Sequence, residues 1–376
     1  MYLKINSDRL RDLLLEIISI KSFFSREVEL ADFLISELAK IADKVERQPV
    51  EGCGGNVIAY VGSEDKPLKY LLMCHMDTVE LFEGWSRNPW GEVDGDIVYG
   101  IGAFDSKSSL AAMIEALRVV SDVKDELKGR IILAAVCDEE GYSRGTYQLA
   151  KSGKLKGVEL GVVGEPTQMK IMKGAYGRLV FDITVKGRAA VGTERRGINA
   201  VVEACKLVLW AVKYSSKPKV KGSVAPLAIR SQEFIVTHPE RCLIRMDRHY
   251  PSGSDEEEKR RFVSYLKKAP DFRANTEIRL MQRPTPYAAP YQVPENSPAF
   301  LSLKKAYIEV LGREPEVELY HTVSDANYLH QIGNISLPIL GPRGGNQHSR
   351  DEYVLFDSVQ DLCKVYLKAI TSTLLE

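Results

Sequence analysis

The chain has 376 residues, of which 44% are hydrophobic and 27% charged, and this balance excludes a disordered or fibrous protein. Its 51 basic and 51 acidic side chains leave no formal net charge, which argues against nucleic acid as a partner. No apolar run reaches the ~20 residues that span a bilayer, and the first residues lack the apolar core of a signal peptide. We therefore expect a cytoplasmic protein with neither a membrane nor a nucleic-acid partner.

The first 175 residues alternate short apolar runs with helical patterns. Two amphipathic helices are predicted within residues 8–45, and a further helix over 108–120. Apolar runs at 70–73, 131–136 and 160–163 predict strands that are buried on both faces. This alternation is typical of an α/β domain with a mixed, mostly parallel sheet.

The pattern changes after residue 173. A strand over 179–185, a helix over about 200–214, a strand ending near 246 and a charged helix over about 255–268 follow, which is the size of a small α+β domain. Four prolines between 284 and 294 indicate a return linker. We predict one α/β domain, formed by residues 1–175 and 286–376, with a smaller α+β domain inserted at 176–285.

The first candidate for chemistry is the segment Leu71 to Asp77, in which an apolar strand ends in a histidine. It delivers the imidazole of His75, and Asp77 lies two residues further on, so both side chains point to the same side. A carboxylate in that place can hold the second nitrogen of a metal-ligating histidine. Alone, an H-x-D pair is more often a structural hydrogen bond.

The second candidate is the loop Gly100 to Lys107, which precedes the predicted helix. Asp105 in this loop is either a helix N-cap or a ligand. The glycines suggest a phosphate loop, but the P-loop spacing G-x-x-x-x-G-K-[ST] is absent. This absence disfavours a nucleotide-binding protein.

Further acids follow two other predicted strands. Asp138, Glu139 and Glu140 form either a solvated turn or a metal ligand beside a general base, and Glu165 follows the strand over 160–163. A late segment adds His348 and the acids at 351 and 352. Histidines and carboxylates at strand ends suit zinc, cobalt or manganese, and open α/β sheets gather their sites at the carboxyl ends of strands.

The order of these motifs resembles that of the dinuclear zinc amidohydrolase and carboxypeptidase family. H-x-D, G-x-G-x-x-D-x-K, D-E-E, E-P-T and H-x-x-D-E occur in sequence along essentially the whole chain. The family includes acetylornithine deacetylase, succinyl-diaminopimelate desuccinylase, aminoacylase and glutamate carboxypeptidase. The resemblance implies an enzyme of amino-acid metabolism that cleaves an amide bond next to a free carboxylate. Its substrate would be a small N-acyl amino acid, such as acetylornithine or acetyl-lysine, or a short peptide.

The resemblance also implies the cofactor and the ligands. Two zinc ions are expected, for which cobalt or manganese could substitute, with Asp105 as the bridging ligand. His75 and Glu165 would complete one site, and Glu140 and His348 the other. The peptide bond between Asp105 and Ser106 is expected to be cis.

The remaining roles are also carried over by position. Glu139 would be the general base, Asp77 would orient His75, and Arg248 and Ser324 would contact the substrate. Glu165 stands where aminopeptidase relatives tend to carry Asp, which favours a deacylase or carboxypeptidase. The inserted domain would be the lid and would form a homodimer.

The lid departs from the family pattern at one position. Relatives place a histidine in G-x-x-x-H, from which it stabilises the oxyanion, whereas this chain has Val191 there. Losing one such donor typically costs about 10²–10³ in turnover. Either another residue substitutes, with His238 and His249 as the lid candidates, or the substrate differs, or catalysis is weak. The alternative to the enzyme is therefore a metal-binding homologue with a degenerate lid and little or no activity.

Overall fold

The structure, a computed structural model, describes residues 3–217 and 220–375 and divides into two compact units. The larger unit runs to Gly174, resumes over Gln292–Tyr320 and continues from Ser324, while the inserted unit comprises Ala175–Tyr291 and His321–Val323. The return boundary thus lies later than the one predicted at 285. The reason is that the Tyr287 hydroxyl donates to the carbonyls of Val180 and Met281, which keeps the proline-rich segment with the inserted unit.

The first part of the chain contains four helices and eight strands among its described residues. In chain order these are Ser7–Ser19 (α1), Val28–Leu38 (α2), Lys44–Gln48 (β1), Asn56–Val61 (β2), Leu68–His75 (β3), Glu92–Asp94 (β4), Ile97–Tyr99 (β5), Ser108–Ser121 (α3), Arg130–Val136 (β6), Arg144–Lys151 (α4), Leu160–Gly164 (β7) and Ile171–Ala175 (β8). A π-helical turn spans Ala103–Lys107, and a 3₁₀ turn spans Lys124–Glu126.

The inserted unit contributes the next elements, and the rest of the chain the last ones. They are Gly177–Lys186 (β9), Ala200–Val212 (α5), Ser223–Ser231 (β10), Arg241–Tyr250 (β11), Asp255–Leu266 (α6), Asn275–Leu280 (β12), Tyr291–Gln292 (β13), Pro298–Leu311 (α7), Val317–Tyr320 (β14), Asp325–Gly333 (α8), Gly344–Gly345 (β15), Tyr353–Leu355 (β16) and Phe356–Leu374 (α9). Within the described ranges, every helix is too short or too polar to cross a membrane.

The central sheet of the larger unit has the order β1-β2-β6-β3-β7. Strand β3 pairs in parallel with β6 and β7, whereas β1 with β2 and β2 with β6 are antiparallel. The mixed α/β class is confirmed, but the sheet is parallel in only half of these pairings. The short connection between β1 and β2 contains no helix, and such a connection permits antiparallel pairing.

Helices bury the sheet of the larger unit. Strands β3 and β6 are apolar and buried along almost their whole length, as the continuous hydrophobic runs predict. Helix α1 buries five of its six leucines and isoleucines, and Asn6 caps it by accepting a hydrogen bond from the backbone N of Arg9. Nearly every side chain of α3 is buried. The sheet edge that carries the candidate ligands is therefore built on a rigid core.

The inserted unit contains a four-stranded antiparallel sheet of order β10-β11-β9-β12 with helices α5 and α6. The alternating residues Leu179, Phe181, Ile183 and Val185 of β9 enter its core, as the period-two pattern predicts. Strands β10 and β12 were not predicted. Both lie at sheet edges, β10 exposes most of its side chains and contains Pro226, and β12 is polar, so neither shows a buried-strand pattern.

Candidate metal centre

Three neighbouring parallel strands deliver side chains to one edge of the central sheet. Strand β3 lies between β6 and β7 and ends at His75. The segment Asp138–Glu140 follows β6, and Glu165 follows β7. Because the carboxyl ends of parallel strands share an edge, these residues converge.

Asp105 lies at the middle of this edge, on the turn Ala103–Lys107. Its Oδ1 is 3.0 Å from His75 Nε2, and its Oδ2 is 3.3 Å from His348 Nε2. The bond from Asp105 to Ser106 is cis, as expected. Helix α3 begins only at Ser108, so the interpretation of Asp105 as its N-cap is wrong.

The candidate ligands form two groups that share Asp105. His75, Asp105 and Glu165 form one, Asp105, Glu140 and His348 form the other, and within each group the ligand atoms lie within 4.8 Å of one another. In the first, His75 Nε2 is 3.7 Å from Glu165 Oε2. In the second, His348 Nε2 is 2.8 Å from Glu140 Oε1. A shared carboxylate with one histidine and one further acid on each side is suited to two divalent cations.

The charges of the site fit bound cations. Glu165 is 3% exposed, and its Oε1 is buried without a hydrogen-bond partner. Burial raises the pKa of Glu165 to about 7. Burial alone would lower the pKa of His75, but hydrogen bonds to Asp105 and Glu165 raise it well above its ordinary value. So many buried acids around two histidines are stabilised when positive charge is present, and a metal supplies it.

Glu139 lies beside both groups without belonging to either. Burial raises the pKa of its carboxyl well above the ordinary value, and repulsion from Glu165 and Glu140 adds to this shift. A carboxyl group with a raised pKa next to a candidate metal pair is suited to accept and return a proton.

Asp77 occupies a different place from the one expected. His75 Nδ1 is 3.0 Å from the backbone oxygen of Asp77 but 3.8 Å from its Oδ1, so the carbonyl rather than the carboxylate orients the ring. The carboxylate accepts the backbone N–H groups of Glu139 at 3.1 Å and Glu140 at 3.0 Å. Asp77 therefore joins the histidine strand to the loop that carries the acids.

The two predicted substrate residues make protein contacts instead. Ser324 is buried and caps helix α8 by accepting a hydrogen bond from the backbone N of Ala326 at 3.2 Å. Arg248 is 2% exposed. Its Nε is 2.8 Å from Glu258 Oε1, and its other nitrogens donate to backbone carbonyls of the inserted unit. Their roles in substrate binding stay predictions that no observed contact supports.

The inserted unit places a histidine beside Val191. Val191 is 55% exposed and forms a β-bridge with Thr237, the residue before His238. The Nδ1 of His238 is 3.2 Å from Asn199 Nδ2, an amide donor, which leaves Nε2 as the protonated nitrogen. His249 is held within the unit, with Nε2 3.2 Å from Thr322 Oγ1.

Two residues at the site had been given no role from the sequence. Glu352 accepts hydrogen bonds from the backbone N–H groups of Gly102, Phe104 and Asp105, each at 2.9 Å, and so holds the Asp105 turn. Gln347 donates from Nε2 to Asp105 Oδ2. The final acid of the H-x-x-D-E motif was the available signal for Glu352, whereas nothing in the sequence marked Gln347.

Comparison with known proteins identifies the family. The model of peptidase family M20/M25/M40 matches residues 71–372, and the chain belongs to this family. It is thus a hydrolase of amide bonds from a family that binds divalent metals, as the motif order predicted. A [LysW]-lysine/[LysW]-ornithine hydrolase of Sulfurisphaera tokodaii is 25% identical over 365 residues, which is 96% of this chain and 95% of that protein. An acetylornithine deacetylase of Aliivibrio fischeri is 32% identical over 181 residues, which is 47% of this chain and 46% of that protein.

Solved structures share the fold along the whole chain. A tripeptidase from Staphylococcus aureus superposes with a TM-score of 0.82 at 19% identity, covering 98% of each chain. An M20 family metallo-carboxypeptidase from Sulfolobus solfataricus gives a TM-score of 0.78 at 16% identity, covering 96% of this chain and 98% of the other. At these identities the likeness establishes the fold.

Proposed function

We propose that the protein hydrolyses an amide bond next to a free carboxylate, in N-acyl amino acids or short peptides, with two zinc ions. The observation that carries the proposal is that Asp105 is shared by two ligand groups, with Glu139 directly beside Glu140. A metal site with only a structural role does not require a further acid at this place. The names of the relatives support a substrate built on an amino acid, such as a lysine or ornithine derivative.

In the proposed reaction Glu139 and Asp77 have separate roles. When bound, the metals lower the pKa of a water and polarise the amide carbonyl. Glu139 accepts the proton of the attacking water and returns it to the nitrogen of the leaving amine. Asp77 fixes the backbone of Glu139 and Glu140 through its carboxylate, and its carbonyl holds the ring of His75. Asp77 thereby holds the proposed base Glu139 and the proposed ligand His75 in fixed positions relative to each other.

We further propose that the inserted unit forms a homodimer through α5 and β10. Among the described residues, strand β10 is the edge of its sheet, and an edge strand can pair with another strand through its outer backbone groups. Leu209 of α5 is 64% exposed, and Leu227 and Ile229 of β10 are about half exposed. Together with Cys205 and Val208 they line an apolar depression. A second copy that presents the same apolar face would bury these side chains on both partners.

A hydrolysis panel tests the enzymatic proposal. N-acetyl and N-succinyl amino acids, including those of ornithine and lysine, are incubated together with dipeptides and the protein loaded with zinc, cobalt or manganese. We expect release of free amine from at least one class with a free carboxylate, and none from the Glu139→Gln protein. Metal uptake without hydrolysis of any compound would instead support the metal-binding homologue.

A further inference from the structure

Arg350 lies in the late segment of the chain, between two residues that contact the turn of Asp105. His348 Nε2 is 3.3 Å from Asp105 Oδ2 and 2.8 Å from Glu140 Oε1. On the other side, Glu352 Oε1 accepts a hydrogen bond from the backbone N of Asp105 at 2.9 Å. Arg350 is two residues from each of them, and two residues span at most about 7 Å. Its backbone is therefore fixed beside the candidate metal centre.

The side chain of Arg350 is exposed and crosses a neighbouring loop at a glycine. If Gly84 carried a Cβ atom, this atom would lie 3.1 Å from Nη1 of Arg350. The same loop is bound to the late segment, because Asp351 Oδ1 accepts hydrogen bonds from the backbone N of Ser86 at 2.8 Å and of Arg87 at 3.0 Å. The absence of a side chain at Gly84 thus leaves room for the guanidinium group.

This guanidinium group has its hydrogen-bond donors available. In the part of the chain that the structure describes, Arg350 forms no ion pair with a carboxylate. The adjacent acid, Asp351, uses both of its oxygens to accept hydrogen bonds from Ser86 and Arg87. Arg350 is thus an exposed cation next to a centre that is rich in acids.

The arginine that was predicted to bind the substrate does not offer such a cation. Arg248 is 2% exposed, its Nε is 2.8 Å from Glu258 Oε1, and its other nitrogens donate to backbone carbonyls. The carboxylate of the proposed substrate is separated from the nitrogen of the scissile amide by a single carbon atom. It therefore requires a positive partner close to the metal centre, and an arginine can bind a carboxylate through two parallel hydrogen bonds.

We propose that Arg350 binds the free carboxylate of the substrate through two nitrogens of its guanidinium group. This inference rests on the proposed amide hydrolysis and names the residue that selects substrates with a free carboxylate. No covalent bond forms or breaks at Arg350. The proton of the attacking water still passes to Glu139 and then to the leaving amine.

The substitution Arg350→Gln tests the proposal with a pair of substrates. The best substrate of the panel is compared with its carboxamide, in which only the free carboxylate is replaced. For the acid, kcat/KM should fall by about 10- to 100-fold, mainly through a higher KM, because a charge-assisted contact to the bound substrate is lost. For the carboxamide, kcat/KM should change less than about threefold. Arg350→Lys should recover part of the loss for the acid, since lysine keeps the charge but not the planar fork.

A matched variant and two physical measurements control for a structural effect. Arg241→Gln removes an exposed arginine from strand β11 of the inserted unit and should leave the rates on both substrates unchanged. Metal content and melting temperature of Arg350→Gln should equal those of the unsubstituted protein.

A binding measurement gives a readout that does not depend on turnover. By calorimetry, Arg350→Gln should bind the product amino acid at least tenfold more weakly than the unsubstituted protein does, and should bind the amide of that amino acid equally well. Equal losses for both ligands, or no loss for either, would overturn the role of Arg350.

The two proposals fail in different ways. If the unsubstituted protein hydrolyses a compound of the panel and Arg350→Gln keeps its preference for the acid over the carboxamide, only the inference about Arg350 falls. If the unsubstituted protein hydrolyses nothing, the proposed function falls and the inference falls with it.

Discussion

Arg144 binds the carboxylate of Asp138 through two nitrogens, with Nε 2.7 Å from Oδ2 and Nη2 3.0 Å from Oδ1. The side chain of Asp138 is fully buried. Its backbone has a φ of 65°, in the left-handed region that residues other than glycine rarely adopt. Because Asp138 directly precedes Glu139 and Glu140, this ion pair fixes the loop that carries the proposed base and one proposed ligand.

We predict that Arg144→Gln lowers both stability and turnover. The substitution leaves the buried Asp138 without its charged partner, which should lower the free energy of unfolding by about 1–3 kcal/mol. Turnover should fall about tenfold, since small displacements of catalytic groups are costly. Urea unfolding and initial rates measure the two effects. The control Arg245→Gln removes an exposed two-point pair with Asp182 and should change stability by less than about 1 kcal/mol. Equal effects in the two variants would contradict the role of Arg144.

Glu139→Gln should separate proton transfer from metal binding. Glutamine keeps the size of the side chain but cannot accept the proton of the water, so turnover should fall by roughly 10²–10⁴. Metal content should stay near normal because Glu139 belongs to neither ligand group. Steady-state rates and elemental analysis check both points. An unchanged rate would show that the base lies elsewhere.

Asp105→Ala should remove both metals together. Asp105 is the residue that the two ligand groups have in common, so its loss leaves each group with one histidine and one acid. Elemental analysis after dialysis should find two ions per chain in the unsubstituted protein and none in the variant. Two tightly bound ions in Asp105→Ala would remove Asp105 as the bridge.

Val191→His tests whether the lid lacks a donor. If the position is equivalent to the histidine of relatives, turnover on small acyl amino acids should rise. The upper limit is the rate gain from the ~3 kcal/mol by which one well-placed donor stabilises the transition state. Metal content should not change.

The alternative is that another lid histidine already acts, and alanine substitutions distinguish the candidates. His238 lies next to the Val191 bridge with Nε2 as its protonated nitrogen, whereas His249 is held by Thr322. A large loss of turnover in His238→Ala, with none in His249→Ala, would identify His238. No effect from any of the three changes would exclude a lid histidine from the reaction.

Leu209→Glu should dissociate the proposed dimer. A charge in the centre of the apolar face of α5 and β10 cannot be buried without a partner. Light scattering coupled to gel filtration should give the mass of two chains for the unsubstituted protein and of one for the variant. Leu301→Glu is the control, since Leu301 is 50% exposed on helix α7, outside the inserted unit. A dimer that survives Leu209→Glu would place the interface elsewhere.

The sequence predicts the elements that an apolar pattern marks. The buried runs at 70–73, 131–136 and 160–163 are the strands β3, β6 and β7, and the motifs that follow them meet at one edge. The family was predictable because the order of five motifs is specific, and the comparison confirms it. The individual site roles remain predictions, although the five proposed ligands lie together.

The features that could not be predicted from the sequence depend on contacts between residues that are distant along the chain. Strand β10 shows no burial pattern because it is a sheet edge. The carboxylate of Asp77 turns to the backbone of Glu139 and Glu140, and a two-residue spacing carries no information about that choice. Arg144 is an ordinary residue in the sequence, and it becomes notable only through the buried carboxylate of Asp138 that it binds in the folded chain.

The three hydrogen bonds of Glu352 have a consequence for synthesis of the chain. Glu352 follows Asp105 by 247 residues, yet it holds the backbone of the turn on which Asp105 lies. His348, a proposed ligand, belongs to the same late segment. During synthesis, Asp105 therefore leaves the ribosome long before Glu352, the residue that holds its turn. With the proposed ligand set, a nascent chain cannot complete the metal centre until residues 348–352 have emerged, so binding of both metals would have to follow their synthesis.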